Sequence, residues 1–196
     1  WWPGTAGGEA VADIIFGDAN PSGRLTMSFP ATEGQLPLYY AQFPTGRPAG
    51  KNHTGRFVTG YLDAPNFGLY PFGYGLSYHT STLSDLALDH AVLHPGEELH
   101  VSVVLENEGP VAGTDVVQLY LHDCVGSVTR PIKELKGFER VTTAPGERRE
   151  VSFTITEEML RFWRRDMTYG SEPGRFDVHV GLDSQQVLSA SFELEA

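Results

Sequence analysis

The stretch ELHVSVVLEN, residues 98–107, alternates apolar and polar side chains almost without interruption. Its regularly spaced apolar residues are Leu99, Val101, Val103 and Leu105. Successive side chains of a strand point to opposite faces, so these four would cover one face while His100, Ser102 and Glu106 lie on the other. This period of two predicts a β-strand that is buried on one side.

The same alternation recurs on both sides of this stretch. The apolar positions form four more series: Val117, Leu119 and Leu121; Val151, Phe153 and Ile155; Phe176, Val178, Val180 and Leu182; and Leu188, Ala190, Phe192 and Leu194. With LSDLALD and PIKELKGFERV they make about seven short strands, separated by turns such as HPGEE and APGE. The fold class is therefore mainly β, with a two-sheet β-sandwich over residues 82–196.

One segment within this region has a helical pattern. Thr156 is a suitable N-cap, and Glu157 and Glu158 fill a first turn. Leu160, Trp163 and Arg164 follow at helical spacing. We therefore predict a short helix that interrupts the strands.

The first 38 residues have a different organisation. The stretch GTAGGEAVADIIFG predicts a helix of about ten residues, because its apolar positions follow a helical period and Gly17 can end it. RLTMSFP then alternates as an edge or half-buried strand would. One helix and one strand are too little for a domain, so residues 1–38 are interpreted as the last fragment of a larger α/β layer.

Residues 39–81 are predicted to connect the two parts. They are rich in Gly, Pro and aromatic residues and show no sustained period. Near their end, LYPFGYGLSY (residues 69–78) combines four aromatic rings with two glycines and a proline. Flexible linkers are poor in aromatic residues, so we predict an ordered, packed loop. Whether the whole connection has a function or only drapes over its neighbours stays open.

Composition excludes several classes of protein. The chain has 196 residues, of which 40% are hydrophobic, and a formal net charge of −11. This charge argues against nucleic acid or an anionic membrane as the main partner. No apolar run is long enough to cross a bilayer. Cys124 is the sole cysteine, so no intramolecular disulfide can form, and the opening WWPGTAGG looks like the middle of a longer chain.

No catalytic or metal-binding motif emerges from the residues. The sequence has neither a phosphate-binding loop ending in Lys-Ser or Lys-Thr nor a Gly-x-Ser-x-Gly elbow. His90 and His94 flank a predicted turn, and the other strand histidines fall on outward positions: His100, His122 and His179. We therefore expect no metal, no cofactor and no catalytic residue in this chain, and substrate-binding residues stay unknown. Asn52-His53-Thr54 matches a glycosylation acceptor, but so short a pattern occurs by chance.

An ordered set of segments resembles a known family. PGTAGGEAVADIIFGDANPSGRLTMSFP, GQLPLYY, YLDAPNFGLYPFGYGLSY, VVQLYLHD, VTRPIKELKGFERV and SEPGRFDVHVG are similar to the C-terminal portion of glycoside hydrolase family 3, as found in bacterial periplasmic β-glucosidases. The resemblance spans essentially the whole chain. The chain departs from the family in the stretch TGYLD, where relatives commonly have an Arg-Tyr pair before the Asp. Any role of that arginine would therefore fall to Arg56 or be absent.

The resemblance implies a retaining enzyme in three parts: a (β/α)8 barrel, an α/β sandwich domain and a fibronectin type III-like domain. An Asp on the barrel would be the nucleophile and a Glu on the α/β domain the acid/base, both upstream of this chain. The substrate would be a β-linked gluco-oligosaccharide or an aryl glucoside, in the periplasm or outside the cell. The aromatic loop would then fasten the α/β domain to the fibronectin-like one. The exact sugar, β-glucosidase against β-xylosidase, and homodimer formation stay open.

An alternative from another class is a free-standing carbohydrate-binding or adhesive module. Such a module should present a row of exposed aromatic rings on one sheet. The outward strand positions here are mainly Ser, Thr, His, Gln and Glu, with Tyr120 nearly alone. This pattern favours a scaffold within an enzyme.

Overall fold

A computed structural model describes residues 2–48 and 57–195. The part of the chain before the first strand, residues 2–48 and 57–80, is called the N-terminal segment. It holds one α-helix, α1 (Gly7–Phe16), and a 3₁₀ helix (Glu33–Gln35). Gly17 follows α1 with φ 86°, the left-handed conformation that a helix-ending glycine adopts readily. The predicted N-terminal helix is confirmed. The pattern at 52–54 and Arg56 lie outside the described residues.

The rest of the chain is a β-sandwich. Its strands are β1 (Ser81–Leu88), β2 (Val92–Leu93), β3 (Glu98–Asn107), β4 (Gly113–Asp123), β5 (Glu134–Thr143), β6 (Arg148–Thr156), β7 (Phe162–Trp163), β8 (Tyr169–Gly170), β9 (Gly174–Gly181) and β10 (Val187–Leu194). One sheet has the order β1-β3-β6, and the other has the order β2-β10-β9-β4-β5. The seven longer strands coincide with the five apolar series and with the stretches LSDLALD and PIKELKGFERV, so the predicted sandwich is confirmed.

The core lies between the two sheets. The alternating apolar residues of β3, β4, β6, β9 and β10 meet there, and several of them are fully buried: Leu99, Val101, Val103, Leu105, Val117, Leu119, Ile155, Val178 and Val180. Phe176 stacks on Phe192 with ring centroids 5.5 Å apart. Within residues 2–48 and 57–195, no helix is both long and apolar enough to cross a membrane.

The predicted helix after Thr156 is wrong. Residues Glu157–Leu160 form only a 3₁₀ helix, and Arg161 is already extended with ψ 144°. The chain then enters β7, where Phe162 is buried beneath the Arg130 guanidinium while Trp163 points to solvent. The helical spacing of Trp163 and Arg164 was therefore coincidental, since Phe162 is the residue that the sandwich buries.

The predicted strand RLTMSFP does not form as a continuous strand either. Leu25 exchanges two backbone hydrogen bonds of 2.8 Å with Tyr74 and Gly73, and Phe29 forms an isolated bridge with Tyr70. The partner segment contains Pro71, which has no N–H to donate, so the ladder cannot run through it. Met27 is 55% exposed, so the segment does not bury its alternate residues, and its partner is the aromatic loop of residues 69–78.

Candidate functional site

The surface that joins the N-terminal segment to the sandwich has two parts, one aromatic and one polar. In the aromatic part, Phe72 stacks on Tyr40 with ring centroids 4.4 Å apart. Tyr40 in turn meets Tyr120 of β4 edge to face at 5.8 Å. These contacts cover Tyr120 completely, so that it is 0% exposed. The aromatic loop is thus packed, as its composition predicts.

Covering Tyr120 fixes its hydroxyl. Burial raises the pKa of Tyr120 far above its usual value, so the hydroxyl stays protonated and donates to Gln118 Oε1. Gln118 Nε2 donates to the carbonyl of Leu182 at 2.8 Å. An added Cβ at Gly73 would collide with the Gln118 amide, and φ 82° at this residue also favours glycine. The expectation that Tyr120 is an outward aromatic at the surface is wrong, because the N-terminal segment covers it.

The polar part is centred on a buried carboxylate, Asp115 of β4. His79 Nε2 donates to Asp115 Oδ2 at 2.9 Å, and Ser81 Oγ donates to the same oxygen at 2.6 Å. Arg24 of the N-terminal segment forms an ion pair with Asp115 Oδ1 at 3.0 Å. The side chains of His79, Asp115 and Arg24 are all at most one-tenth exposed. A shielded pair of this kind is expensive to break by removing one partner.

The hydrogen bonds of Asn20 indicate which ring nitrogen of His79 accepts and which donates. The Asn20 amide nitrogen donates to the carbonyl of Ala112 at 2.9 Å, and its oxygen accepts from the Tyr78 N–H at 2.9 Å. This orientation leaves the same nitrogen to donate to His79 Nδ1 at 3.0 Å. Nδ1 therefore accepts, and Nε2 carries the hydrogen that Asp115 receives. The bonds tie Asn20 both to the residue before β4 and to the residues that lead into β1.

The backbone approaches closely at the same place. A Cβ on Gly113 would lie 2.0 Å from His79 Nδ1, which no real side chain tolerates. Other backbone bonds link the two parts further along: Ile132 N–H donates to Gln42 O at 2.9 Å, and Ser184 N–H donates to Phe72 O at 2.9 Å. The N-terminal segment is therefore fixed to one edge and one face of the five-stranded sheet.

The opposite side of this segment has apolar side chains without a covering layer. Within α1, only Gly7 is buried. Ile15 is 67% exposed and Phe16 82%, and Trp2 precedes the helix fully exposed. Tyr78 donates from its hydroxyl to the Ile14 carbonyl at 2.5 Å, so the aromatic loop holds the end of the helix in place. Several large apolar side chains exposed on and beside one short helix indicate a contact with further protein.

The strand histidines lie at the outward positions that the sequence predicts, but one of them belongs to a cluster that the sequence does not predict. His100 is exposed and faces Thr154 at 3.3 Å, while His90 and His94 lie on either side of β2. His179 bonds Ser189 at 2.8 Å, and burial lowers the pKa of His179 to about 4. His122 lies beside Cys124 and Asp177, and burial together with the Asp177 carboxylate raises the pKa of Cys124 to about 11. The sequence does not predict this grouping, because β4 and β9 are far apart along the chain and meet only in the sheet.

Two families match different parts of the chain. A fibronectin type III-like domain matches residues 115–184, which agrees with the sandwich of β4 to β9. The glycosyl hydrolase family 3 C-terminal domain matches residues 1–78, the N-terminal segment and its aromatic loop. The architecture is therefore the terminal part of an α/β domain joined to a fibronectin type III-like sandwich.

Known relatives extend these matches over the whole chain. It is 48% identical over 194 residues to the periplasmic β-glucosidase of Salmonella typhimurium, covering 99% of this chain and 25% of the relative. It is 40% identical over 185 residues to a β-xylosidase of Formosa agariphila, again covering 25% of that protein. The crystal structure of a Listeria innocua β-glucosidase in complex with glucose superposes with a TM-score of 0.94 at 44% identity, covering 100% of this chain and 27% of that one.

Over its whole length the chain is thus similar to the C-terminal portion of glycoside hydrolase family 3 proteins. It spans about a quarter of the length of the relatives it matches.

Proposed function

We propose that this chain is the C-terminal scaffold of a retaining, β-glucosidase-like glycoside hydrolase, acting in the periplasm or outside the cell. The two catalytic carboxylates belong to the upstream barrel and α/β domain, and the substrate is a β-linked gluco-oligosaccharide or an aryl glucoside. The proposal rests on relatives that share this C-terminal portion and are named as β-glucosidases, and it assigns the same activity to the whole protein.

The observation that carries this proposal is the two-sided N-terminal segment. On one side, Arg24, Tyr40 and His79 bind it to the sandwich. On the other side, α1 leaves its apolar residues uncovered. A ten-residue helix is marginal in water by itself, so it needs a layer on this second side. The rest of an α/β domain would supply that layer. Because the N-terminal segment is fixed to the sandwich, the sandwich would also fix the position of that domain.

The carboxylates described here support an upstream catalytic pair. A general acid needs a carboxyl whose pKa is raised within a pocket, next to a second carboxylate. Asp115 is covered by His79, Ser81 and Arg24, and its side chain is only 4% exposed, so a sugar cannot reach it. Burial also raises the pKa of Asp123, but this side chain is paired with Arg130, whose guanidinium lies over the Phe162 ring of β7. Neither residue has the setting of a glycosidase acid.

The alternative of a carbohydrate-binding module has less support. Trp163 and Tyr169 form an exposed pair on the β7-β8 hairpin, but their rings are tilted by 54°. A flat sugar ring stacks best on coplanar rings. Tyr120, the aromatic residue of the outward positions of β4, is covered.

The proposal is tested by hydrolysis of an aryl β-glucoside. The protein that carries its upstream domains should be active, whereas the 196-residue chain alone should show no turnover. In the active protein, Ile15→Glu should lower both the melting temperature and kcat, because the charge would enter the contact with the α/β layer. Glu9→Gln, on the exposed first turn of the same helix, is the matched control and should change neither.

Two results would contradict the proposal. One is turnover by the chain alone that is lost on changing one of its own carboxylates. The other is tight binding of a β-linked gluco-oligosaccharide by the chain alone, which would favour the binding module.

A further inference from the structure

The outer face of the five-stranded sheet brings an imidazole, a thiol and a carboxylate together. His122 of β4 and Asp177 of β9 are direct register partners. Cys124 comes two residues after His122, hence on the same face, and its N–H donates to the Arg175 carbonyl at 3.2 Å. One ligand atom from each of the three side chains lies within 4.8 Å of the others. The strand pairing itself therefore creates the cluster.

The spacing suits a small metal ion. His122 Nδ1 and Asp177 Oδ2 are 3.7 Å apart, which is longer than a hydrogen bond. Ligand atoms at a tetrahedral zinc with bonds of about 2.0–2.3 Å stand about 3.3–3.6 Å from each other. The three side chains are half-buried, so small rotations can close the remaining gap without moving a strand.

The carboxylate is held in the orientation that a ligand needs. Asp177 Oδ1 accepts from Arg175 at 3.0 and 3.2 Å and from Ser191 Oγ at 2.8 Å. The other oxygen, Oδ2, faces His122. Outer hydrogen bonds that fix a ligand in this manner are a regular feature of protein metal sites.

We infer that His122, Cys124 and Asp177 form a binding site for a divalent transition-metal ion, of which Zn²⁺ fits the mixed S, N and O donors best. A fourth position is open to water. On binding, the sulfur–hydrogen bond breaks, a sulfur–metal bond forms and the proton passes to solvent. Thiolate and carboxylate then balance the two charges of the ion. The proposal departs from the sequence-based expectation of no metal site, which weighed Cys124 and the histidines separately.

Cobalt(II) is the probe of choice, because a thiolate bound to it gives a charge-transfer band in the near ultraviolet. Cys124 is the sole cysteine of the 196 residues, so the band reports directly on this site. Titration of the metal-free full chain should develop the band at one Co²⁺ per chain, and Zn²⁺ should displace it. Cys124→Ser should abolish the band, and the isosteric Asp177→Asn should raise the Kd for Zn²⁺ at least about tenfold.

Two further variants separate a built site from adventitious binding. Ser191→Ala, which removes a bond to Asp177 Oδ1, should weaken Zn²⁺ binding by about tenfold. His100→Ala changes an exposed histidine on the other sheet and should leave the affinity unchanged. Absence of the band, binding that survives Cys124→Ser, or equal losses in His100→Ala and Asp177→Asn would each overturn the proposal. Thermal unfolding of the metal-free variants checks that all of them fold.

Discussion

The sandwich and the N-terminal segment reach their structures by different means. Every hydrophobic residue that is buried in the described chain lies at or after Leu93. Before β1, the buried residues of the described chain are two polar ones, Gln35 and His79, and two glycines. The sandwich thus has its own core, whereas the N-terminal segment is held through hydrogen bonds, the Arg24–Asp115 ion pair and ring contacts. A region without a core of its own depends on its neighbours for its fold.

The strongest challenge to this comparison is to separate the two regions. A fragment that begins at Ser81 should keep a single cooperative thermal transition, because the whole apolar cluster stays within it. Residues 1–80 alone should show no transition. Calorimetry and circular dichroism of both fragments provide the measurement, and they also test the predicted start of the sandwich domain at residue 82.

A molten fragment from Ser81 onward would mean that the N-terminal segment is needed for the core. A cooperative transition in residues 1–80 would instead show that this segment has a fold of its own. Either result would refute the contrast between the two regions.

The junction is tested next by Asp115→Ala. The change leaves the Arg24 charge and His79 Nε2 buried without their partner, which should lower the free energy of unfolding of the full chain by about 3–5 kcal/mol. Glu158→Ala is the control, because its contact with Arg161 is long at 3.8 Å and mostly exposed. The control should change stability by less than about 1 kcal/mol. Equal effects in chemical denaturation would show that the junction is no stronger than a surface pair.

A smaller effect is expected from Phe72→Ala. Phe72 is half-buried, so removing its ring from Tyr40 should cost about 2–3 kcal/mol, less than for a fully buried aromatic residue. The matched control in the same loop is Leu69→Ala, since Leu69 is 60% exposed and should matter by no more than about 0.5 kcal/mol in this chain. Thermal unfolding decides: an unchanged melting temperature for Phe72→Ala would remove the aromatic loop from the junction.

The sequence predicts the sandwich well because strand alternation is local and the core depends on it directly. The burial of Phe162 could not be predicted in this way, since a two-residue hairpin strand is too short to show a period. RLTMSFP has a strand-like alternation, but it pairs only at Leu25 and Phe29. Its partner could not be found from sequence, because the paired loop contains Pro71 and has no strand pattern.

Part of the junction did leave a signal in the sequence. Asp115 continues the series Val117, Leu119 and Leu121, so an acidic residue occupies a position where the pattern asks for an apolar one. Such a residue needs a partner, and the structure supplies His79 and Arg24. By contrast, nothing local links His122 to Asp177, since only the pairing of β4 with β9 brings them together.

The distance along the chain between the two halves of the junction affects how it is made. Arg24 is 91 residues before its partner Asp115. Tyr40 is 95 residues before Leu135, and the Tyr40 hydroxyl oxygen accepts a hydrogen bond from the Leu135 N–H. At about 5–20 residues per second, a ribosome needs about 5–18 s to synthesise the first of these intervals. During this time residues 20–40 have no partner on β4, so the junction belongs to the late events of biosynthesis. Until the strand emerges, the Tyr40 ring has no Tyr120 to pack against and is exposed to chaperones and to other nascent chains.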